Sequence, residues 1–335
     1  MKTKKEKKEE ELGKVSPAEV KKCSELVKRI KKETSKIVIG QEEVIDGIIC
    51  AILCEGHVLV EGVPGIAKTL LIRTISEVTG CKSKRVQFTV DLLPTDIIGI
   101  TTYTPGKGFE IIKGPIFANF IIADEVNRSP PKTQSALLEA MQERQVTIGI
   151  TSFPLPRPFF VMANENPLEV SGVYPLPEAQ IDRFLFKLIM SYPTMSDEDL
   201  IMQSNITLKK FEDFELKAVT SPAEIIAIQK LTKRVYLDKK IRKYILDIVN
   251  ASRNKDFENA KYIEWGASPR ASIGLFLASK ARALMEGRNF VTPKDVKSVA
   301  YSILRHRIVL SYKARAQGIT SEKIIQEILS RIKVP

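Results

Sequence analysis

Residues 57–69 read HVLVEGVPGIAKT, a short apolar run followed by a loop that ends in Lys68 and Thr69. A phosphate-binding loop has the pattern G-x-x-x-x-G-K-[S/T] and lies between a strand and a helix. Gly62 and Lys68 occupy the expected places, and TLLIRTISEVTG, which begins at Thr69, has apolar residues at helical spacing. The stretch therefore predicts a strand, a phosphate-binding loop and a helix, with Ala67 where the pattern has its second glycine.

A loop of this kind binds phosphate through its backbone N–H groups and the N-terminus of the following helix. Lys68 would reach the β- and γ-phosphates of a nucleotide, and Thr69 would offer its hydroxyl to Mg²⁺. Because a β-carbon disfavours positive φ, we expect Ala67 to keep a right-handed backbone conformation. An ordinary strand-to-helix junction is the alternative interpretation, although it would not need glycines, a proline and Lys-Thr together.

Acidic side chains follow a second apolar run, FIIADE at residues 120–125. Ligands of open parallel sheets bind at the carboxyl ends of the strands, where Asp124 and Glu125 would lie. There Asp124 can hold a hydrated Mg²⁺, and Glu125 can polarise a water molecule for attack on the γ-phosphorus. Two acids that merely face solvent are the alternative, but the phosphate-binding loop upstream favours a nucleotide site.

A third run, FFVMANENP, delivers Asn164 and Asn166 to the same edge of the sheet. One of these amides could orient the attacking water between Glu125 and the γ-phosphate. A turn-forming Asn before proline is the alternative for Asn166. Arg183 in IDRFLF and Arg270 in ASPRA are further candidates for phosphate contact.

The apolar runs also predict the fold. HVLV, RVQFTV, NFIIAD, RPFFVMA and FLFKLI alternate with loops and helical segments, and several are apolar throughout, which favours a parallel sheet covered on both faces. Two β-rich pieces flank the turn at 105–108, and QVTIGITSFPLPRPF repeats this arrangement, so we expect two hairpins. From Ser191 onward only helical periodicity is present. Helices are predicted near 196–205, 221–234, 238–254, 267–286, 292–303 and 320–332.

The first residues, MKTKKEKKEEELGK, form a charge run without an apolar core, which predicts a solvated tail and not a secretory signal. Ser16 and Pro17 then predict the start of a helix. No run approaches the roughly 18 apolar residues that a membrane span needs. Cysteines show no zinc spacing, and Cys50 and Cys54 in IICAILC are interpreted as buried free thiols. We therefore expect a reduced, cytoplasmic protein.

The 335 residues carry a net charge of +12, which can indicate a nucleic-acid or membrane partner. The lysines are spread along the chain, mixed with glutamates and accompanied by few aromatic residues. A solvated Lys/Glu-rich surface, as in heat-adapted proteins, is therefore the preferred interpretation.

Together these residues resemble the AAA+ ATPases and, within them, the MoxR family. The similarity extends from position 38 to about position 314 and is most specific in VLVEGVPGIAKT, GPIFANFIIADEVNRSPPKTQSALLEAMQERQVTI, YPLPEAQIDRF, ASPRAS, NFVTPKDV and LRHRIVLSY. It implies an αβα P-loop core with a parallel sheet at 36–190 and a small all-helical lid domain at 191–335. A basic tail and helix at 1–35 precede them.

The resemblance also assigns the nucleotide-binding residues. Asp124 and Glu125 correspond to Walker B, Thr69 and Asp124 to the Mg²⁺ ligands, and Gly40-Gln41 to the loop that lies against adenine. MoxR-like loops commonly carry alanine or glycine at the position of Ala67. The Walker A residues are Gly62, Val63, Pro64, Gly65, Ile66, Ala67, Lys68, Thr69 and Leu70.

Other residues match motifs that act on the γ-phosphate. Asn166 matches sensor 1, although Asn164 leaves this assignment open because the usual T-Q-N-P context is altered here. Arg183 matches the arginine finger that reaches into the next subunit's site, and Arg128 is an alternative trans-acting arginine. Arg270 matches sensor 2. The hairpin near 103–110 resembles the helix-2 insert, and that near 147–156 the presensor-1 hairpin.

The resemblance implies an ATP-driven, Mg²⁺-dependent ring, expected to be a hexamer, that remodels or matures client protein complexes or inserts their cofactors. A separate protein with a VWA domain is the implied partner. A nucleic-acid-dependent motor is the alternative, motivated by the positive charge and the hairpins, which carry few basic residues. A nucleotide switch without turnover is a third possibility, against which the presence of Glu125 and Arg183 argues.

Overall fold

A computed structural model of the protein describes residues 15–63, 65–166, 172–204, 211–254 and 256–335. The predicted solvated tail, Pro64 of the loop and the end of FFVMANENP lie outside these ranges.

The chain forms two compact units. One comprises Arg29–Ile226, and the other comprises the chain up to Lys28 together with Ala227–Pro335. The two units meet at 28/29 and 226/227, whereas the sequence-based domain bounds are 35/36 and 190/191. The sequence-based bounds stay a prediction.

The unit Arg29–Ile226 is built on a five-stranded sheet of parallel strands. Its strands are β1 (Val58–Gly62), β2 (Ser83–Gln87), β5 (Phe120–Asp124), β8 (Phe160–Glu165) and β9 (Phe186–Met190). They lie in the order β2-β5-β8-β1-β9, which confirms the predicted parallel sheet. The central strands carry mostly apolar side chains on both faces and are therefore buried. All five residues of β5 are buried.

Two antiparallel hairpins lie between strands of this sheet along the chain, as predicted. The first is β3 (Gly99–Thr104) with β4 (Gly108–Lys113), and the second is β6 (Gln145–Ile148) with β7 (Thr151–Pro154).

Helices cover the sheet and connect its strands. In chain order they are α2 (Glu42–Leu53), α3 (Lys68–Val78), α4 (Pro94–Ile98), α5 (Pro131–Glu143), α6 (Glu178–Ile181) and α7 (Met195–Gln203). The helix that precedes them, α1 (Pro17–Thr34), belongs to the other unit up to Lys28. Short 3₁₀ turns lie at Val126–Arg128 and Phe211–Phe214. Cys50 and Cys54 are buried around the end of α2, as predicted.

The other unit is mainly helical, which confirms a helical lid. Its helices are α8 (Pro222–Arg234), which begins in the first unit, α9 (Lys239–Ala251), α10 (Pro269–Met285), α11 (Pro293–Leu304), α12 (Tyr312–Ala316) and α13 (Ser321–Arg331). Side-chain caps at Asp238, Ser268, Ser311 and Thr320 start α9, α10, α12 and α13. Nowhere in the described part of the chain is there a helix long and apolar enough to span a membrane.

The prediction of helices alone after Ser191 missed one feature of this unit. β10 (Ile263–Trp265) and β11 (Val309–Leu310) form a small antiparallel ladder, preceded by a 3₁₀ turn at Glu258–Tyr262. Strands of this length are too short to show a period of two in the sequence. Their pairing joins segments that are distant along the chain, which local patterns cannot reveal.

His57 connects three parts of the larger unit at the start of β1. Its Nδ1 accepts from the backbone N–H of Val161 at 3.0 Å, and its Nε2 lies 3.1 Å from the carbonyl oxygen of Met141. The first contact requires an unprotonated Nδ1, so the ring is the neutral tautomer that donates from Nε2. Burial lowers the pKa of His57 to about 4; the Met141 carbonyl opposes this shift and the Arg144 charge adds to it.

This histidine is expected to make the unit less stable in mild acid. Above a pH of about 6.5 the His57 ring is neutral in both the folded and the unfolded chain, so its stabilising contribution to the free energy of unfolding is fully present. As pH falls from about 6.5 toward 4, only the unfolded chain gains a proton, and the free energy of unfolding drops by about 3 kcal/mol. Urea unfolding of wild type and His57→Gln at pH 7 and pH 5 measures the difference. An identical pH dependence in both proteins would contradict it.

Candidate functional site

The carboxyl ends of the parallel strands border a cleft of about 440 Å³. Chain direction brings the loop after β1 and the ends of β2, β5 and β8 to this one edge. The cleft is lined by Gly65, Ala67, Lys68, Thr69, Leu70, Arg85, Gln87, Asp124, Glu125, Asn164 and Asn166. Most of these are residues that the sequence predicts for a nucleotide site.

The predicted phosphate-binding loop runs from β1 into α3. Lys68 begins the helix, and its Nζ donates to the carbonyl oxygen of Gly62 at 2.7 Å and more weakly to that of Glu165 at 3.5 Å. No side chain of the described residues caps α3, and the start of this helix lines the cleft. A β-carbon on Gly65 would meet no protein atom within 4 Å, which leaves open space over the loop.

Ala67 takes a left-handed conformation, with φ 63° and ψ 28°. The expectation of a right-handed backbone at this position is therefore wrong. The turn from loop to helix needs positive φ whichever residue is present, which is why glycine suits it. The β-carbon of alanine makes this conformation unfavourable by about 1 kcal/mol.

Replacing Ala67 with glycine is therefore expected to relieve strain without changing ligand binding much. The folded state gains about 1 kcal/mol, partly offset by the greater freedom of glycine in the unfolded chain. ATP affinity should change by less than about threefold, because the backbone that faces the cleft keeps its path. Isothermal titration checks this, with Gly65→Ala as the matched opposite change, since Gly65 has φ 85°. A large gain in affinity for Ala67→Gly would show that the alanine impairs the loop.

Asp124 is buried at the end of β5 and is surrounded by donors. Thr69 Oγ1 lies 3.1 Å from its Oδ2, Asn164 Nδ2 donates to its Oδ1, and Arg85 forms an ion pair with it. The ion pair and hydrogen bonds fix the carboxylate in place.

Glu125 follows in a left-handed conformation, with φ 55° and ψ 50°. Its backbone N–H donates to Asn164 Oδ1 at 2.7 Å. Its carboxylate accepts from Gln87 Nε2 at 2.8 Å and lies 3.2 Å from Arg128 Nε. Backbone strain of this kind is typical of functional positions and is kept only where neighbours enforce it.

The two asparagines of β8 and its end differ in their contacts. Asn164 uses its oxygen for the backbone of Glu125 and its nitrogen for Asp124, so it braces both acids. Asn166 is 8% exposed and also lines the cleft. The contacts of Asn164 favour a bracing role for it and leave Asn166 as the sensor 1 candidate.

Sequence patterns missed Arg85 and Gln87, which lie on β2. Gln87 is in register with Asp124 on the neighbouring strand, and Arg85 Nη2 donates to Gln87 Oε1 at 3.2 Å. The pattern of RVQFTV by itself predicts only a strand, although polar residues near the carboxyl end of such a strand can indicate a place at the ligand-binding edge.

Cationic side chains surround the two acids at the cleft. Lys68, Arg85 and Arg128 lie near Asp124 and Glu125. Burial raises the pKa of the adjacent Glu165 carboxyl; Lys187 opposes this shift and Glu61 adds to it.

The remaining predicted loop residues lie around β1 and the end of β9. A β-carbon on Gly62 would come within 2.8 Å of the carbonyl oxygen of Met190 and 2.7 Å of Ile66 Cδ1, so this glycine permits close packing. Val63 joins Gly62 to the loop, while Pro64 lies outside the described residues.

Gly40 and Gln41, predicted to lie against adenine, contact the segment after β9. Gly40 has φ 72°, and a β-carbon there would lie 2.7 Å from Asp197 Oδ2. Gln41 Nε2 donates to the carbonyl oxygen of Ser191 at 3.0 Å. Their role toward a base stays a prediction.

The two predicted arginines lie outside the lining of the cleft. Arg183 borders a separate cavity of about 270 Å³ together with Glu139, Glu143 and Gln180. Arg270 belongs to the other compact unit, as the second residue of α10.

Comparisons with known proteins agree with this geometry. Residues 57–186 match the ATPase family associated with various cellular activities (AAA), and residues 256–328 match the AAA lid domain. The chain is 43% identical over 309 residues to Chaperone MoxR1 of Mycobacterium tuberculosis, covering 90% of this chain and 81% of that protein. It is 29% identical to Protein MoxR of Paracoccus denitrificans, covering 89% and 93% of the two chains.

A solved structure gives the same result for the fold. A crystal structure of a candidate ATPase from Cytophaga hutchinsonii superposes with a TM-score of 0.87 at 43% identity, covering 94% of this chain and 97% of that one. Sequence similarity at this level over nearly the whole chain, together with the loop and the acids at one sheet edge, identifies the family. The chain belongs to the MoxR family of AAA+ ATPases.

Proposed function

We propose that the protein binds ATP with Mg²⁺ in this cleft and hydrolyses it to drive a chaperone-like remodelling cycle. The observation that carries the proposal is the convergence of Lys68, Thr69, Asp124, Glu125 and Asn166 on one cleft. Residues from separate strands meet there in the arrangement that phosphoryl transfer needs.

The residues suit both ligands. The open space over Gly65 and the uncapped start of α3 fit an anionic phosphate chain. Thr69 Oγ1 and Asp124 Oδ2 are oxygen donors 3.1 Å apart, and two adjacent ligands of one octahedral Mg²⁺ lie about 3 Å apart. The donor set therefore fits Mg²⁺, and Arg85 would give up its ion pair with Asp124 to the metal.

The protein's groups have separate tasks in hydrolysis. Mg²⁺, when bound, would neutralise charge that develops on the phosphate oxygens. Glu125 accepts the proton of the attacking water, and Asn166 orients that water. Lys68 exchanges its carbonyl contacts for phosphate oxygens, which are stronger acceptors because the bond is charge-assisted.

Arg183 completes the proposed site from a neighbouring subunit. It is exposed, and within its own chain it borders a different cavity from the nucleotide cleft. A cation supplied in trans requires an assembly, so we propose a ring, hexameric as the family resemblance implies. Arg270 of the lid is the proposed sensor 2.

Client protein complexes are the proposed substrate of the motor, with a separate VWA-domain protein as partner. Support comes from the hairpins, whose exposed side chains include Tyr103, Phe109 and Ile150. Apolar and aromatic groups of this kind suit contact with polypeptide, whereas a nucleic-acid motor would present clustered lysines and arginines. The chaperone-like function is therefore preferred to the nucleic-acid motor.

Lys68→Ala is expected to abolish measurable ATP binding and hydrolysis, because no other described side chain at the loop offers a positive charge in its place. Binding is measured with a fluorescent ATP analogue, and hydrolysis by phosphate release with and without Mg²⁺. Lys82→Ala, which removes an exposed charge before β2, serves as the control. Full ATP affinity in Lys68→Ala would overturn the assignment of the loop.

A further inference from the structure

We infer that Gln134 is a positioning residue that holds the loop carrying Glu125 and the segment leading to Arg183 in one fixed arrangement. The inference rests on the proposed function, because it concerns how the hydrolytic acid and the trans-acting arginine are placed. It assigns Gln134 a coupling role without any contact to nucleotide.

Gln134 is fully buried on α5, and its side-chain nitrogen is surrounded by backbone carbonyls. Nε2 lies 3.2 Å from the oxygen of Val126, 3.0 Å from that of Ser129 and 2.8 Å from that of Tyr174. A carbonyl oxygen only accepts, so the amide nitrogen must face all three and the side chain has one possible orientation. Its two N–H groups are therefore shared among three acceptors from two segments, the turn at 126–129 and the segment at Tyr174.

The first two carbonyls belong to the turn that follows Glu125. The backbone N–H of Arg128 donates to the carbonyl of Glu125 at 2.9 Å, and the side chain of Arg128 pairs with the Glu125 carboxylate. Glu125 itself is held in a left-handed conformation. A displacement of Val126 or Ser129 would therefore also displace the Glu125 carboxylate.

The third carbonyl belongs to the segment that leads to Arg183. The backbone N–H of Tyr174 also donates to the carbonyl of Asn127 at 2.6 Å, so this segment is bonded to the same turn from a second side. Leu176, just after it, is buried in the core of the unit. The path from Tyr174 through α6 to Arg183 is therefore anchored next to Gln134.

Helix α5, which carries Gln134, also lines the cavity that Arg183 borders. Leu138, Glu139 and Glu143 of α5 line it, along with Gln180. α5 thus holds the acid's turn through Gln134 near its start and contacts the arginine's surroundings farther along.

Removal of the amide would leave carbonyl dipoles converging with nothing between them. Buried acceptors that lose a donor are unfavourable, so the two segments would shift relative to each other, while the backbone bond from Tyr174 to Asn127 remains between them. Misplacement of a catalytic group by about 1 Å can slow a reaction about 100-fold. We therefore expect the loss of Gln134 to impair hydrolysis both in its own subunit and in the neighbour that receives Arg183.

The first test is the near-isosteric Gln134→Leu, with Thr133→Val as its matched control. Thr133 is the adjacent residue of α5, is buried, and donates to the carbonyl of Leu92 at 2.6 Å. For Gln134→Leu we expect kcat to fall at least about 10-fold with ATP affinity within about threefold of wild type. Thr133→Val should lose stability but keep its kcat. Equal kcat values in the two folded variants would overturn the inference.

Gln134→Glu provides a second test, because a purely structural role of Gln134 would not make the effect on kcat depend on pH. A carboxyl facing three carbonyls keeps its proton to an unusually high pH, and the protonated form still donates one bond. The kcat of Gln134→Glu relative to wild type should therefore fall as pH rises from 6 to 9. A ratio that does not change with pH would contradict the inference.

The trans effect is tested in mixed assemblies of the full chain. Wild type is mixed with an excess of either Glu125→Gln or the double variant Glu125→Gln/Gln134→Leu, both of which can supply only Arg183 to a wild-type site. The double variant should lower hydrolysis per wild-type subunit several-fold further, and equal rates would overturn the coupling. Failure of wild type alone to hydrolyse ATP would instead overturn the proposed function, and this inference with it.

Discussion

Glu125→Gln is expected to bind ATP and Mg²⁺ as wild type does and to hydrolyse ATP about 10²–10⁴-fold more slowly. The amide cannot accept the proton of the attacking water, while its size and its ability to accept from Gln87 are retained. Binding should be preserved because the carboxylate of Glu125 contacts Gln87 and Arg128, whereas the phosphate-binding groups come from the loop and α3.

Single-turnover hydrolysis and ATP titration on the same preparation separate the two effects. Glu77→Gln is a suitable control, since it makes the same chemical change at an exposed position of α3. A hydrolysis rate equal to that of wild type would show that Glu125 is not the base.

Arg183→Ala is expected to lower kcat by about 10³–10⁵-fold, the range found for trans-acting arginines in related hydrolases. The reason is that Arg183 would stabilise charge that develops on the γ-phosphate only in the transition state. ATP affinity should change little, because Arg183 borders a cavity other than the cleft of its own chain.

Steady-state hydrolysis at several protein concentrations measures this effect, since wild type should become more active as the ring assembles. Lys132→Ala removes one exposed positive charge from α5 and is expected to be silent. A kcat for Arg183→Ala within a few-fold of wild type would exclude Arg183 as the trans-acting arginine. Arg128 would then be the candidate for that role.

The fold was predictable largely because its core strands are apolar on both faces. Runs such as FIIA and FFVM cannot lie at a surface, so they indicate a covered parallel sheet, and this sheet is present. The hairpins followed from their turn residues. The ladder of β10 and β11 escaped prediction because it depends on contact between distant and very short segments.

The loop was predictable because its pattern has a fixed spacing, and the place of the acids at the sheet edge because they end an apolar strand. The conformation of Ala67 was not, since the helix start imposes positive φ regardless of the residue present. Arg85, Gln87 and Gln134 act through contacts across strands and segments, and these contacts exist only once the chain has folded.

Complementation between two inactive variants tests the central claim, a hydrolytic site shared by two subunits. Glu125→Gln still carries Arg183, and Arg183→Ala still carries Glu125, so a junction between them can hold one complete site. Each variant alone should be nearly inactive, and an equimolar mixture should recover hydrolysis far above the sum of the two. Activity of the mixture no greater than that sum would contradict the shared site.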